Sequence, residues 1–197
     1  MTATAEQIKK LRELTGAGVL DSKLTLDAQN GDFEKALAIL REKGLKAAEK
    51  KAERVAKQGI IETYVHTGSK VGVMLELNCE TDFVAATNDF TELAHNIALQ
   101  IAAFKPTYVS ADDIPAGKLE ELKKEFADAA RSAGKPENII EKIATGKLEA
   151  YFKQACLLHQ PYIRDDKLTI VDLIKVTITK LGENIIVRRF TRFELGE

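Results

Sequence analysis

The amino-acid sequence predicts an α+β fold, and three observations carry the prediction. Residues 4–43 place apolar side chains at the three-to-four spacing of short amphipathic helices. From Gly59 the apolar period drops to two, the spacing of strands. After a long run of further helical stripes, the chain returns to strand character over 184–195. The expected architecture is a three-stranded antiparallel sheet, a hairpin plus the C-terminal strand, packed with helices.

The elements follow in order. A first helix carries Ile8, Leu11 and Leu14, and Gly16 is suited to end it in a left-handed cap. A second covers Val19–Gln29. Asn30-Gly31-Asp32 is a turn with Asp32 as N-cap, and a third helix with Phe33, Ala36, Leu37 and Leu40 inward is expected to end at Gly44. Residues 45–58, rich in Ala, Lys and Glu, read either as a solvated helical connector or as an RNA-facing helix. Ile61, Thr63 and Val65 share one strand face, and Val71, Val73, Leu75 and Leu77 alternate across a turn at 67–70. A long helix then carries Phe90, Leu93, Ala94, Ile97, Ala98 and Ile101. Pro106 breaks the chain before a charged helix from about Lys118 to Ser132, with Leu119, Leu122 and Phe126 inward. Helical stripes follow at Ile139, Ile140 and Ile143 and at Leu148, Tyr151, Phe152, Ala155 and Leu158, and a last one at Val171, Ile174, Ile178 and Leu181 stops at Gly182. Strict alternation in the final strand sets Ile186 and Phe190 on one face and Ile185, Val187, Phe193 and Leu195 on the other. Such a strand wants cover on both sides.

Composition narrows the function. The 197 residues carry 29 Lys and Arg against 30 Asp and Glu, a net charge of −1, which argues against nucleic acid as the main ligand. Aromatics are 6% and Trp is absent, which disfavours base stacking. Cys79 and Cys156 lie far apart and read as buried, reduced thiols. Residues 1–6 have no basic or apolar run of a secretion signal, and no apolar stretch approaches the roughly 20 residues of a membrane span. The expectation is a soluble cytoplasmic protein without membrane contact.

The search for catalytic chemistry is empty. His66, His95 and His159 lie neither at metal-ligand spacing from one another nor near a cysteine, so no metal site is expected. Gly117-Lys118 and Gly146-Lys147 are followed by Leu and lack the upstream glycine of a phosphate loop. No nucleophile elbow, dinucleotide fingerprint or cofactor site is present. The segment that stands out is Thr81-Asp82-Phe83-Val84, at a strand-to-helix corner. Two readings fit it. Thr81 or Asp82 caps the helix while Phe83 fills core, or the corner presents Asp82 and Phe83 to a partner as an anion beside an apolar wedge.

Several stretches resemble the bacterial translation elongation factor Ts family, in its short form. Leu11 to Lys23 is similar to that family's N-terminal signature, and Asn78-Cys79-Glu80-Thr81-Asp82-Phe83-Val84-Ala85 to its second. Gly134-Lys135-Pro136, Leu157 to Tyr162 and Gly182-Glu183-Asn184 to Glu197 match in the same order. The resemblance implies a ubiquitin-associated-like three-helix domain over 1–44, a helical linker over 45–58, and a core and dimerisation domain over 59–197. It implies guanine-nucleotide exchange on elongation factor Tu, with Thr81, Asp82, Phe83 and Val84 displacing the partner's magnesium. Arg12, Val19 and Leu20 would contact the partner's nucleotide domain. It implies a homodimer, no cofactor, and action by binding rather than by catalysis. Ala86 stands where many members have a basic residue, Gln100 where several have a histidine that contacts a second domain of the partner, and Thr25 where Ala is frequent. A ribosome- or nascent-chain-associated adaptor, or an enzyme using its carboxylates, are the rival readings from the residues alone.

Overall fold

The computed structural model describes residues 3–196. Three helices come first: α1 (Ala5–Thr15), α2 (Val19–Ala28) and α3 (Phe33–Glu49). Thr4 and Gln7 start α1 with a capping box, each side chain bonded to the other's backbone N–H at 3.1–3.2 Å. Gly16 ends it at φ +69°, its N–H bonded to the Arg12 carbonyl. Asp32 caps α3 by accepting from Lys35 N–H at 3.1 Å, and the hydrogen bonds from Lys35 hold its carboxyl below the usual carboxylate range. Leu11, Leu26, Ala36 and Leu40 form the core of this trio. Each buried leucine contributes roughly 2 kcal/mol.

Gly44 does not end α3. The helix runs through it to Glu49, because Gly44 serves a close approach instead. A Cβ there would lie 3.1 Å from Thr179 Oγ1, and that hydroxyl donates to the Gly44 carbonyl at 3.3 Å. The expected helical connector over 45–58 is accordingly helical only to Glu49. The chain turns over 50–54 and is irregular over 55–57. Asn184 pins this turn, its side-chain N–H groups donating to the carbonyls of Ala52 and Arg54 at 3.2 and 2.8 Å.

The main sheet pairs β1 (Gln58–Val65), β2 (Val71–Cys79) and the C-terminal β5 (Ile186–Glu194), all antiparallel, with β2 central. Its covered face holds Ile60 and Tyr64 opposite Leu77 and Val73, with Leu75 between. Ile61, Thr63 and Val65 do share a face, but it is the open one. The expected alternation of the last strand breaks at a bulge. Glu76 pairs Arg189 and Leu77 pairs Val187, so Arg188 is the extra residue. The phase therefore switches, and Val187 and Phe190 point to the covered side while Phe193 and Leu195 join Ile61, Val65 and Met74 on the open side.

The chain divides into two compact units. One runs to Leu99 and resumes at Val171, and the other is Gln100–Ile170. In the first, β2 leads into the single-turn α4 (Asp82–Ala85) and then α5 (Asn88–Phe104), and α8 (Ile170–Leu181) precedes β5. The α5 stripe from Phe90 to Ile101 is buried as expected. In the second, α6 (Ala116–Ser132) and α7 (Glu137–Ala155) form a helical pair. The two stripes flanking Gly146 are one continuous helix, and Leu158 lies beyond it in a 3-10 turn. A short two-stranded sheet, β3 (Pro161–Tyr162) with β4 (Asp165–Thr169), was not expected from the sequence.

Candidate functional site

The strand-to-helix corner is built around Thr81. Its backbone is still extended, at φ −126° and ψ 156°, and its Oγ1 accepts from Val84 N–H at 3.3 Å, so Thr81 is the N-cap of α4. The same hydroxyl donates to Glu183 Oε1 at 2.7 Å. The N–H groups of Glu80 and Thr81 both donate to Glu183 Oε2, at 3.1 and 3.0 Å. The Thr81 carbonyl accepts from the Cys79 thiol at 3.0 Å and from Ala85 N–H at 3.3 Å. Every polar atom of Thr81 is thereby engaged.

With Thr81 fixed, α4 can point only one way. Ala85 is buried beneath the corner and Val84 is half-buried, while Asp82 and Phe83 face solvent. Phe83 is 83% exposed. The capping reading holds for Thr81, and the core-filling reading fails for Phe83. A second threonine continues the device: Thr87 Oγ1 donates to the Val84 carbonyl at 2.7 Å and accepts from Phe90 N–H at 3.3 Å, which joins α4 to α5. Burial, helped by the nearby Glu183 carboxylate, pushes the Cys79 thiol above its ordinary pKa, so it acts as a neutral donor here.

The N-terminal candidates lie elsewhere. Arg12 is exposed on the last turn of α1, and Val19 and Leu20 open α2 with 54% and 68% of their surface in solvent. Arg12 borders a recess of about 210 Å³ shared with Lys9, Gly16 and Lys180. This region and the corner are joined through α8 and its C-terminal turn. Gly16 lies against the backbone of Val176 and Lys180, Lys180 Nζ meets Asp89 at 2.6 Å, and Glu183 holds Thr81. Residues 176–184 thus support both candidate regions.

Sequence reasoning missed Glu80, Glu183 and Asn184. Glu80 Oε1 accepts from Asn184 N–H at 2.7 Å, the reciprocal of the Glu183 contacts, and lies 3.5 Å from Arg54. Their partners lie more than a hundred residues away in sequence, beyond any local pattern. Gln100 lies within the second unit. It is fully buried, donating to Gln160 Oε1 and the Pro161 carbonyl and accepting from Ile163 N–H, so its side chain supports the β3–β4 loop rather than a surface contact. Ala86, by contrast, is exposed directly after the corner. Thr25 is buried among the N-terminal helices.

No group of three or more His, Cys, Asp or Glu among the described residues is placed to hold a metal ion. No helix among them is long and apolar enough to cross a membrane. What the corner offers is an anion and an apolar ring held in solvent on a fixed frame.

The family model described as Elongation factor TS matches residues 3–197. A protein named Elongation factor Ts from Thermotoga sp. (strain RQ2) is 56% identical over 197 residues, covering 100% of this chain and 98% of the relative. Its counterpart from Carboxydothermus hydrogenoformans is 51% identical over 194 residues, 98% of this chain and 89% of that protein. The one from Thermoanaerobacter sp. (strain X514) is 50% identical over 194 residues, 98% and 95% respectively.

Proposed function

The chain belongs to the elongation factor Ts family, and on that footing we propose that it binds elongation factor Tu carrying GDP and promotes release of the nucleotide. The observation that carries the proposal is Phe83, a large apolar side chain held 83% exposed on a single helical turn whose cap is fully bonded. An apolar ring in water is unfavourable by itself, and such anchors carry much of the energy of protein interfaces. In this reading Thr81, Asp82, Phe83 and Val84 enter the partner beside its magnesium and phosphate site. Magnesium offsets the phosphate charge, so disturbing its ligands weakens GDP. Factor and nucleotide then weaken each other's binding reciprocally. No bond is made or broken on the factor, and it acts by differential binding to two states of its partner.

The remaining parts take consistent roles. The three N-terminal helices, which run on to Glu49 rather than ending at residue 44, form the docking domain, with Arg12, Val19 and Leu20 toward the partner, residues 50–57 lead onward, and the main sheet and the helices after it form the core. Two copies work together, joined through the open face of the main sheet, where Ile61, Val65, Met74, Phe193 and Leu195 are each more than half exposed. The protein works in the cytoplasm on a protein partner and needs neither a cofactor nor nucleic acid.

The test is release of fluorescent GDP from elongation factor Tu with catalytic amounts of this protein. The parent speeds release, and Asp82→Ala with Phe83→Ala slows it while thermal unfolding stays within about 0.5 kcal/mol, as for exposed positions in general. Full activity in the double variant refutes the role of the corner.

A further inference from the structure

Glu183 stands outside every role assigned so far, yet it is the group on which the corner is hung. Its carboxylate takes three donors from two adjacent residues: Glu80 N–H and Thr81 N–H on Oε2, and the Thr81 hydroxyl on Oε1. An ionised carboxylate is an acceptor only, and hydrogen bonds to it are about twice as strong as neutral ones. The contact is returned, since Glu80 Oε1 accepts from Asn184 N–H. Two chain segments 102–104 residues apart each give a carboxylate to the other's backbone. Asn184 in turn is buried and tied to Ala52 and Arg54. The segment carrying Glu183 is therefore itself anchored, and it cannot drift with the corner.

We propose that Glu183 is a positioning residue for nucleotide exchange: it fixes the Thr81 cap so that Phe83 is presented in one orientation before the partner arrives. The proposal rests on the exchange reading above and adds the source of its preorganisation. Without Glu183, Thr81 keeps its cap bond to Val84 N–H, so α4 still forms. What is lost is three of the hydrogen bonds that tie that turn to the body of the protein, while the Glu80–Asn184 contact and the Thr87 link to α5 remain. The ring then samples several directions, and only part of the population is competent. Contacts made elsewhere, such as those at the start of α2, are unaffected. Loss of Glu183 therefore lowers the maximal rate more than it raises the half-saturating concentration.

The experiment measures stimulated GDP release from elongation factor Tu over a range of factor concentrations, for Glu183→Ala and Glu183→Gln, each in the parent and in a Phe83→Ala background. In the parent background Glu183→Ala lowers the saturating rate roughly 10- to 100-fold, the scale set by displacing a positioned group by about an ångström. The half-saturating concentration moves by less than about threefold, within ~0.6 kcal/mol. Glu183→Gln, which keeps a carbonyl oxygen for the two N–H donors, recovers a substantial part of the rate. In the Phe83→Ala background the effect of either change shrinks to a small fraction of its size in the parent, with Asp82 the part of the corner still positioned, because residues acting through one group are not additive. A merely structural role lowers the rate equally in both backgrounds, and that result, or an unchanged saturating rate for Glu183→Ala, overturns the proposal. If Glu183→Ala fails to fold, Glu183→Gln carries the same comparison. Equal rates for the parent and Phe83→Ala, both with Glu183 intact, would instead overturn the corner reading, and the proposal with it.

Discussion

Replacing Gly16 by alanine tests the placement of the N-terminal helices against α8. Gly16 ends α1 at φ +69°, a conformation that costs an L-residue about 1–2 kcal/mol. The added methyl also has no space. It would lie 2.6 Å from the Val176 carbonyl oxygen, 3.0 Å from Lys180 N and 3.2 Å from Lys180 Cβ, against an optimum of roughly 3.5 Å. Two of these three atoms are backbone of a helix and cannot swing aside. The end of α1 must back away from α8, and overpacking of this kind costs about 1–3 kcal/mol. The expected loss is therefore about 2–5 kcal/mol. Urea unfolding followed by circular dichroism reads the total, and hydrogen exchange locates it, with faster exchange expected in α1–α3 than in the main sheet. Gly18→Ala is the control. Gly18, the N-cap of α2, has φ −65°, the nearest atom to its added methyl is Asp21 Oδ2 at 3.9 Å, and the change costs only the poorer cap, about 0.5–1 kcal/mol. If Gly16→Ala unfolds with the same midpoint as Gly18→Ala, the contact between α1 and α8 is wrong.

Four other outcomes are expected. Asn184→Ala removes both donors to the carbonyls of Ala52 and Arg54 at a buried position and lowers stability by about 2 kcal/mol, measured by urea midpoint at unchanged slope. Burial pushes the Cys156 thiol up to about 11 and raises Cys79 as well, so neither reacts with a thiol reagent at pH 8 until the protein is unfolded. Because the folded-state pKa of Cys156 is raised, its contribution is complete below the ordinary thiol value of 9.0 and is lost as pH rises toward about 11; Cys156→Ala has a shallower loss of stability across that window. Phe193→Glu, on the open sheet face, yields monomers in sedimentation where the parent is a dimer, and a monomeric parent at micromolar concentration refutes the pairing of copies.

Local rules carried the sequence reading where the determinants were local. The caps at Thr81 and Asp32, the stop at Gly16 and the alternation of β2 are each written in a few neighbouring residues. Gly44 shows the limit: a glycine that ends a helix and one that lets two helices touch look alike in sequence, and only Thr179 distinguishes them. The bulge at Arg188 leaves no compositional mark, so strict alternation misassigned the faces of β5. The β3–β4 pair is too short and too polar to announce itself. At the corner, sequence identified the residues but not their direction, since a phenylalanine after a cap serves equally in a core or outside it. Gln100 shows the same limit for a polar residue: it is fully buried, and its partners Gln160, Pro161 and Ile163 lie some sixty residues away in sequence.

The clasp between Glu80 and Thr81 on one side and Glu183 and Asn184 on the other has a consequence for how this protein can change length. The unit Gln100–Ile170 lies between the two halves of the clasp in sequence and contributes no atom to it. Closing a longer loop costs little, about 0.6 kcal/mol for each doubling. Insertions or deletions within that unit, at the turn between α6 and α7 above all, can therefore accumulate while both ends still arrive at the same place. Single substitutions at 80, 81, 183 or 184 enjoy no such freedom. Added chain between the two halves is expected to cost the clasp little, whereas a change at any of the four residues that form it removes a bond directly.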